Sequence, residues 1–210
     1  MMIRFFLIKI EMNFKLSEEN YIPIETVKNR IVIGNSFSID MNHYIGWTKR
    51  LNGKFKRTAN FTIELNGNIH EHFSPKYYSN YLNDAKLDST TISIVLENEG
   101  WLAKDLFEEN KYINYVGHIY KREEVVEKRW RNFKYWSPYS NEQMESLTIL
   151  VKKLCEEYKI PLNVVAHNTG FKDANKYEGI LYRSNFEKHY TDISPTWDFE
   201  KFKNKLELKL

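Results

Sequence analysis

An α/β fold with a mixed central β-sheet flanked by helices follows from three features of the chain. Short apolar runs of strand length, at residues 30–33, 91–96 and 162–166, are separated by longer helical or polar stretches. A hairpin signature, Asn66-Gly67, lies between residues 61–64 and 69–73 and places an antiparallel pair among them. A long helical pattern follows Ser140. The 210 residues, 42% hydrophobic and 28% charged, suit one domain with a sizeable core.

The elements follow in order. Residues 1–29 form an N-terminal extension. Its opening apolar run is interrupted by Arg4, Lys9 and Glu11, is too short to span a membrane, and lacks a convincing signal-peptide cleavage site. It reads as an extra strand, or as residues upstream of a start at Met12. Residues 30–210 form the main domain. The run Arg-Ile-Val-Ile at 30–33 ends at Gly34 and reads as a buried strand. A helix over 38–51 follows, with Met41, Tyr44, Ile45 and Leu51 inward and Asn52-Gly53 as its stop. The hairpin comes next, with a type I′ turn expected at Asn66-Gly67, and then the strand 91–96.

Residues 101–140 read as an insertion. Ten of these 40 positions are aromatic, with a basic cluster at Lys128, Arg129, Arg131 and Lys134, and one short helix is expected near 123–130. Ser140 and Gln143 form a capping box, Tyr139 and Met144 a hydrophobic staple, and Met144, Leu147, Leu150, Val151, Leu154 and Tyr158 recur at helical spacing. Residues 162–166 read as a strand ending at His167, residues 168–191 as a loop, and 198–206 as a closing helix.

The net charge of +3 is too small, and Lys and Glu too interspersed, to indicate a nucleic-acid partner. No other stretch suits a membrane span. The single cysteine, Cys155, excludes an intrachain disulfide and a Cys-rich zinc site. The chain is expected to be a monomer.

His167 ends an apolar strand and Asp192 precedes Ile-Ser-Pro. Taken singly, each reads as an ordinary strand-end histidine or turn aspartate. Together with the elements before them they form a longer pattern. Ile31-Val-Ile-Gly-Asn-Ser36, the segment 58–67, the return strand 69–73, the strand and Asn-x-Gly turn at 91–100, the helix 143–160, Val-Val-Ala-His167 and Asp192-Ile-Ser-Pro195 with Trp197 occur in one order. That order resembles the type-2 N-acetylmuramoyl-L-alanine amidases, the family of peptidoglycan recognition proteins and amidase-type phage lysozymes.

The resemblance implies a zinc hydrolase that cuts the amide between N-acetylmuramic acid and L-alanine of the stem peptide, with peptidoglycan or muropeptide as partner, cytoplasmic in the producing cell or delivered to the cell wall by phage. It places His167 and Asp192 at the second and third metal-ligand positions. Gly34 falls where the first, a histidine, is expected, Val95 where many members carry a catalytic glutamate, and Tyr190 where many carry a lysine. Glu97, on the strand face of Val95, is a substitute carboxylate or a solvated strand-end charge. His43, His70 or His72 are replacement ligands or exposed polar residues. His189 and Tyr190 are candidate partners in proton transfer. Asn35, Asn60, Trp130, Arg131 and Trp136 are candidate substrate contacts, the last three on an insertion that either walls a groove or packs on its own aromatics. The competing reading is a binding module of the same fold that recognises muropeptide without cleavage.

Overall fold

The computed structural model describes residues 10–11, 13–108, 111–165, 173–187 and 189–208. The elements are β1 (Ile10–Glu11), β2 (Arg30–Asn35), α1 (Asn42–Lys49), β3 (Phe61–Ile63), β4 (Ile69–Glu71), α2 (Ala85–Ser89), β5 (Thr91–Leu96), β6 (Trp101–Lys104), β7 (Tyr112–Asn114), β8 (Val126–Trp130), β9 (Phe133–Trp136), α3 (Asn141–Tyr158), β10 (Gly179–Tyr182), α4 (Arg183–Phe186) and α5 (Phe199–Glu207). No helix among the described residues is long and apolar enough to cross a membrane.

The main sheet has the order β1-β4-β3-β5-β2-β10. Its pairs are parallel except β3–β4. Strands β2, β3 and β5 are buried along their whole length, as near-continuous apolar strands covered on both faces must be. Side chains alternate between the faces. Ile31, Ile33, Phe61, Ile63, Ile92 and Ile94 pack with Leu147, Leu150, Val151 and Leu154 of α3 and with Phe202 of α5. Val32, Val95 and Leu181 pack on the other side with Trp47 of α1, Ala59, Tyr81 and Leu82. Gly34 and Val95 are register partners and open onto this second face.

The capping box forms: the Gln143 N–H donates to Ser140 Oγ at 3.0 Å, and the Ser140 N–H donates to Gln143 Oε1 at 3.2 Å. Gln143 Nε2 also donates to the Glu97 carbonyl at 2.8 Å, tying the helix start to the end of β5. Asp198 caps α5 by accepting from the Lys201 N–H at 3.0 Å.

Several expectations are corrected. The Asn66-Gly67 turn is not type I′. The Gly67 N–H donates to the Glu64 carbonyl, the Glu64 N–H to the Asn68 carbonyl, and of the turn residues Gly67 takes the positive φ of 87°. This is a three-residue loop with a glycine bulge. Helix α1 starts only at Asn42 because Phe37, Asp40 and Met41 hold φ of 56°, 54° and 54°. Its buried residues are His43 and Trp47, while Ile45 and Leu51 are exposed. The helix expected near 123–130 is instead β8. It turns through Arg131 and Asn132, both at positive φ (45° and 70°), into β9, which is the backbone of a type I′ hairpin. The insertion is thus a four-stranded antiparallel sheet, β7-β6-β9-β8, in which Trp101 stacks on Phe133 at 4.3 Å. The strand expected at 162–166 contributes, within its described part, a single bridge, Val164 to Ile180, and the loop read over 168–191 contains β10 and α4.

Candidate ligand-binding site at the carboxyl end of β2

Strand β10 lies beside β2, with Tyr182 opposite Ile33. The next residue, Arg183, is therefore delivered to the side of Gly34. The chain then returns so that the Ser184 N–H donates to the Asp192 carbonyl at 2.7 Å, and Asp192 reaches the same point. Its Oδ2 accepts from the Asn35 N–H at 3.2 Å and pairs with Arg183 Nη1 at 3.3 Å. Asp192 is 1% exposed. The guanidinium of Arg183 stacks 4.4 Å from the Tyr190 ring centroid and 5.0 Å from that of Tyr81. Burial alone would lower the basicity of Arg183, but Asp192, with Tyr81 and Tyr190, raises it above the ordinary arginine value. Burial pushes the Tyr81 phenol up as well, so it stays protonated.

Positions 34, 95 and 192 therefore converge, as the sequence pattern implies. What fills the space between them is not a metal-ligand set. A Cβ built on Gly34 would overlap Tyr81 Oη and Asp192 Oδ2 and approach Arg183 Cδ to 2.7 Å. The volume that a side chain at position 34 would occupy is already taken. The charge opposite Asp192 is the arginine's, and a dication beside that guanidinium would be repelled. Among the described residues, no three His, Cys, Asp or Glu side chains group as a metal site would require. His167 lies outside the described residues. Among the described residues, the groups that meet at Gly34 do not fit a zinc ion.

The other predicted residues fall as follows. Glu97 is 3% exposed, and its Oε1 accepts from the Met41 N–H at 2.6 Å. Burial pushes its carboxyl up to about 7, opposed by that hydrogen bond. It is therefore not a solvated strand-end charge. Tyr190 meets the site, its hydroxyl accepting from Arg57 Nη2 at 2.6 Å. His189 faces solvent with its side chain 74% exposed, 3.6 Å from Glu187. Asn35 borders the site: its Oδ1 accepts from the Tyr139 hydroxyl at 2.5 Å, and among the described residues its Nδ2 has no hydrogen-bond partner.

Asn60 is fully buried, and its Oδ1 accepts from the Ser93 N–H at 2.9 Å, bracing β3 against β5. Trp136 is 0% exposed and donates to the Lys128 carbonyl at 2.6 Å, so it is core of the insertion rather than a stacking surface. Trp130 is half-buried with the Arg131 guanidinium 4.5 Å over its ring. Arg131 itself donates to the backbone carbonyls of Ser184, Glu187 and Tyr190. It clamps the segment that leads to Asp192.

His43 and His72 are buried, not exposed, and share one hydroxyl. His72 Nδ1–H donates to the Phe14 carbonyl at 2.6 Å, which leaves Nε2 to accept from the Thr62 hydroxyl at 2.8 Å. Thr62 in turn accepts from His43 Nε2–H at 2.9 Å. Burial holds His43 down to about 3 and His72 to about 4, so both are neutral. His70, also buried, sits 2.6 Å from Glu64 Oε1.

Two cavities adjoin the convergence point. The smaller, about 150 Å³, is lined by Asn35, Tyr81, Val95, Arg50, Arg57 and Arg183 among others. The larger, about 520 Å³, lies between α1 and the β7 end of the insertion, with Phe37, His43, Glu99, Tyr115 and His118 on its walls. Ser36, Phe37, Trp47 and Arg50 border both, so they form one groove. Arg50, Arg57 and Arg183 escaped the reading of the sequence. The signal available for Arg183 was the apolar run Gly-Ile-Leu-Tyr just before it, which marks a strand end.

These features define a single α/β domain with a ligand groove at the carboxyl end of its parallel strands. The family model described as N-acetylmuramoyl-L-alanine amidase matches residues 31–178, and the chain belongs to that generally zinc-dependent family. Among solved structures, the chain is similar to N-acetylmuramoyl-L-alanine amidase LysC from Clostridium intestinale URNW (14% identity, 96% of this chain and 95% of that one, TM-score 0.50). It is similar also to a mutant endolysin from Bacillus subtilis (12% identity, 94% and 99%, TM-score 0.55). A third is amidase AmiD from E. coli, in complex with anhydro-N-acetylmuramic acid-L-Ala-D-gamma-Glu-L-Lys (12% identity, 90% and 65%, TM-score 0.55). At these identities the likeness is one of fold. No curated protein matches the sequence.

Proposed function

We propose that this chain binds muropeptide in the shared groove and does so without zinc-dependent cleavage. One observation carries the reading: Arg183 neutralises Asp192 in the space that a ligand side chain at position 34 would fill. The family and the groove supply the substrate class. AmiD, of the same fold, is complexed with a muramyl peptide, and the larger cavity here has aromatic rings for sugar faces, Phe37 and Tyr115, with Glu99 beside them. The hydrolytic reading has one support, Glu97, whose carboxyl titrates near neutral as a general acid or base does. That carboxylate is already engaged by the Met41 N–H.

The test is to incubate the chain with insoluble peptidoglycan, with added zinc and with chelator, and to measure both the bound fraction and newly released L-alanine amino termini. Binding that is indifferent to chelator, with no new amino termini, is expected. Chelator-sensitive release that is lost in Asp192→Asn overturns the proposal.

A further inference from the structure

We propose that the smaller cavity is an anion site that takes the carboxylate or phosphate group of a ligand whose remainder lies in the larger cavity. For the bearer of that group, a stem-peptide carboxylate, the inference rests on the muropeptide reading above. The anion chemistry rests on the site itself.

Arg50, Arg57 and Arg183 all line a volume of about 150 Å³, and no aspartate or glutamate is among its lining residues. Asp192 pairs with Arg183 and Asp88 acts on Arg57 through space, and neither carboxylate lines the cavity. A guanidinium offers a planar fork of donors that matches an oxyanion two bonds at a time. Each arginine is steadied by an aromatic neighbour: Arg50 lies 5.4 Å over Phe55, Arg57 donates to the Tyr190 hydroxyl, and Arg183 lies over Tyr81 and Tyr190. Less ordering is then left for a ligand to impose.

Among the described residues, the donors Arg183 Nε and Asn35 Nδ2 are buried without a hydrogen-bond partner, as is the acceptor Asp192 Oδ1, and of these three residues the two donors line the cavity. Buried donors left unpaired are unfavourable and rare in folded proteins, and an entering oxyanion supplies acceptors for both. Size sets the rest. A volume of about 150 Å³ suits a small charged group, and its border with the larger cavity along Ser36, Phe37 and Trp47 gives the rest of the ligand a place. The corner that other family members give to a metal ion is, in this chain, positively charged through its own side chains.

The experiment is calorimetric titration of the full chain with a muramyl tripeptide bearing free carboxylates, with the same compound carboxyl-amidated, and with inorganic phosphate. It is repeated on Arg57→Gln and on Arg50→Gln, the latter an exposed position whose change leaves the core untouched. The free acid is expected to bind about tenfold or more tightly than the amide at low salt. That preference shrinks in both variants, and phosphate competes. Equal affinity for acid and amide overturns the anion site and leaves muropeptide binding standing. Phosphate binding that is weakened by Arg57→Gln, with no binding of either muropeptide, supports the anion site and overturns the muropeptide reading. No binding of any of the three overturns both.

Discussion

Arg183 and Asp192 form a pair whose members cannot be removed one at a time without penalty. Arg183→Met deletes the guanidinium and leaves a carboxylate that is 1% exposed, held among the described residues by the Asn35 N–H at 3.2 Å. Breaking a buried pair from one side costs about 3–5 kcal/mol, because the surviving charge stays out of water. For a chain of this size each kcal/mol lowers Tm by about 2–4 °C, so the single variant should melt roughly 6–20 °C below the parent. Asp192→Asn strands Arg183 in the same way. The double variant Arg183→Met/Asp192→Asn removes both charges and should fall by no more than either single change, a coupling of about 3 kcal/mol or more in a double-mutant cycle. Calorimetric melting of the four proteins in metal-free buffer is the assay. Additive losses, or single variants within about 2 °C of the parent, would refute the claim that Arg183 is the counter-charge of Asp192.

Glu97→Gln should change how stability varies with pH. The folded carboxyl is pushed from 4.5 up to about 7, so the unfolded chain releases its proton first and stability falls as pH rises through that window. Glutamine keeps an acceptor for the Met41 N–H, so the variant should gain up to about 3 kcal/mol near pH 8 and nothing near pH 4, read by urea denaturation. Thr62→Val keeps the shape of β3 but leaves His43 and His72 each with an unpaired buried nitrogen. A loss of about 1–3 kcal/mol for each is expected in the same assay, and an unchanged midpoint would remove the network from the account of stability. Arg131→Ala frees the carbonyls of Ser184, Glu187 and Tyr190. Amides of that segment should exchange with deuterium faster while those of α3 do not change, and uniform protection would show that the clamp is idle.

What the sequence reveals is what local patterns encode. Ser140 and Gln143 form the capping box three residues apart, and the runs at 30–33 and 91–96 are apolar enough to be strands on any surroundings. The position of the hairpin turn is legible in the sequence but its type is not, because Asn-Gly suits both a type I′ turn and a bulged loop, and the difference rests on which residue takes positive φ. The segment 126–130 misleads for a related reason: its charges fit the solvent side of a helix or of a strand equally, and the pairing with β9 decides. Strand β10 is four residues long and stands out only when β2 lies beside it. At the site, Gly34, Val95 and Asp192 were legible from their order in the chain. Arg183 was not. Its meaning depends on facing Gly34 across the fold, and the hydrogen bond that joins the two halves of the site, Asn35 to Asp192, spans 157 positions.

The crowding around Gly34 sets a direction on sequence change. For a histidine to fit at that position, Tyr81, Asp192 and Arg183 must first leave the volume that its side chain needs. Withdrawing Arg183 alone strands a carboxylate, and installing the histidine alone forces an overlap. Each of these two single changes therefore gives a less stable protein. The packing at this corner therefore limits which side chains position 34 can accept.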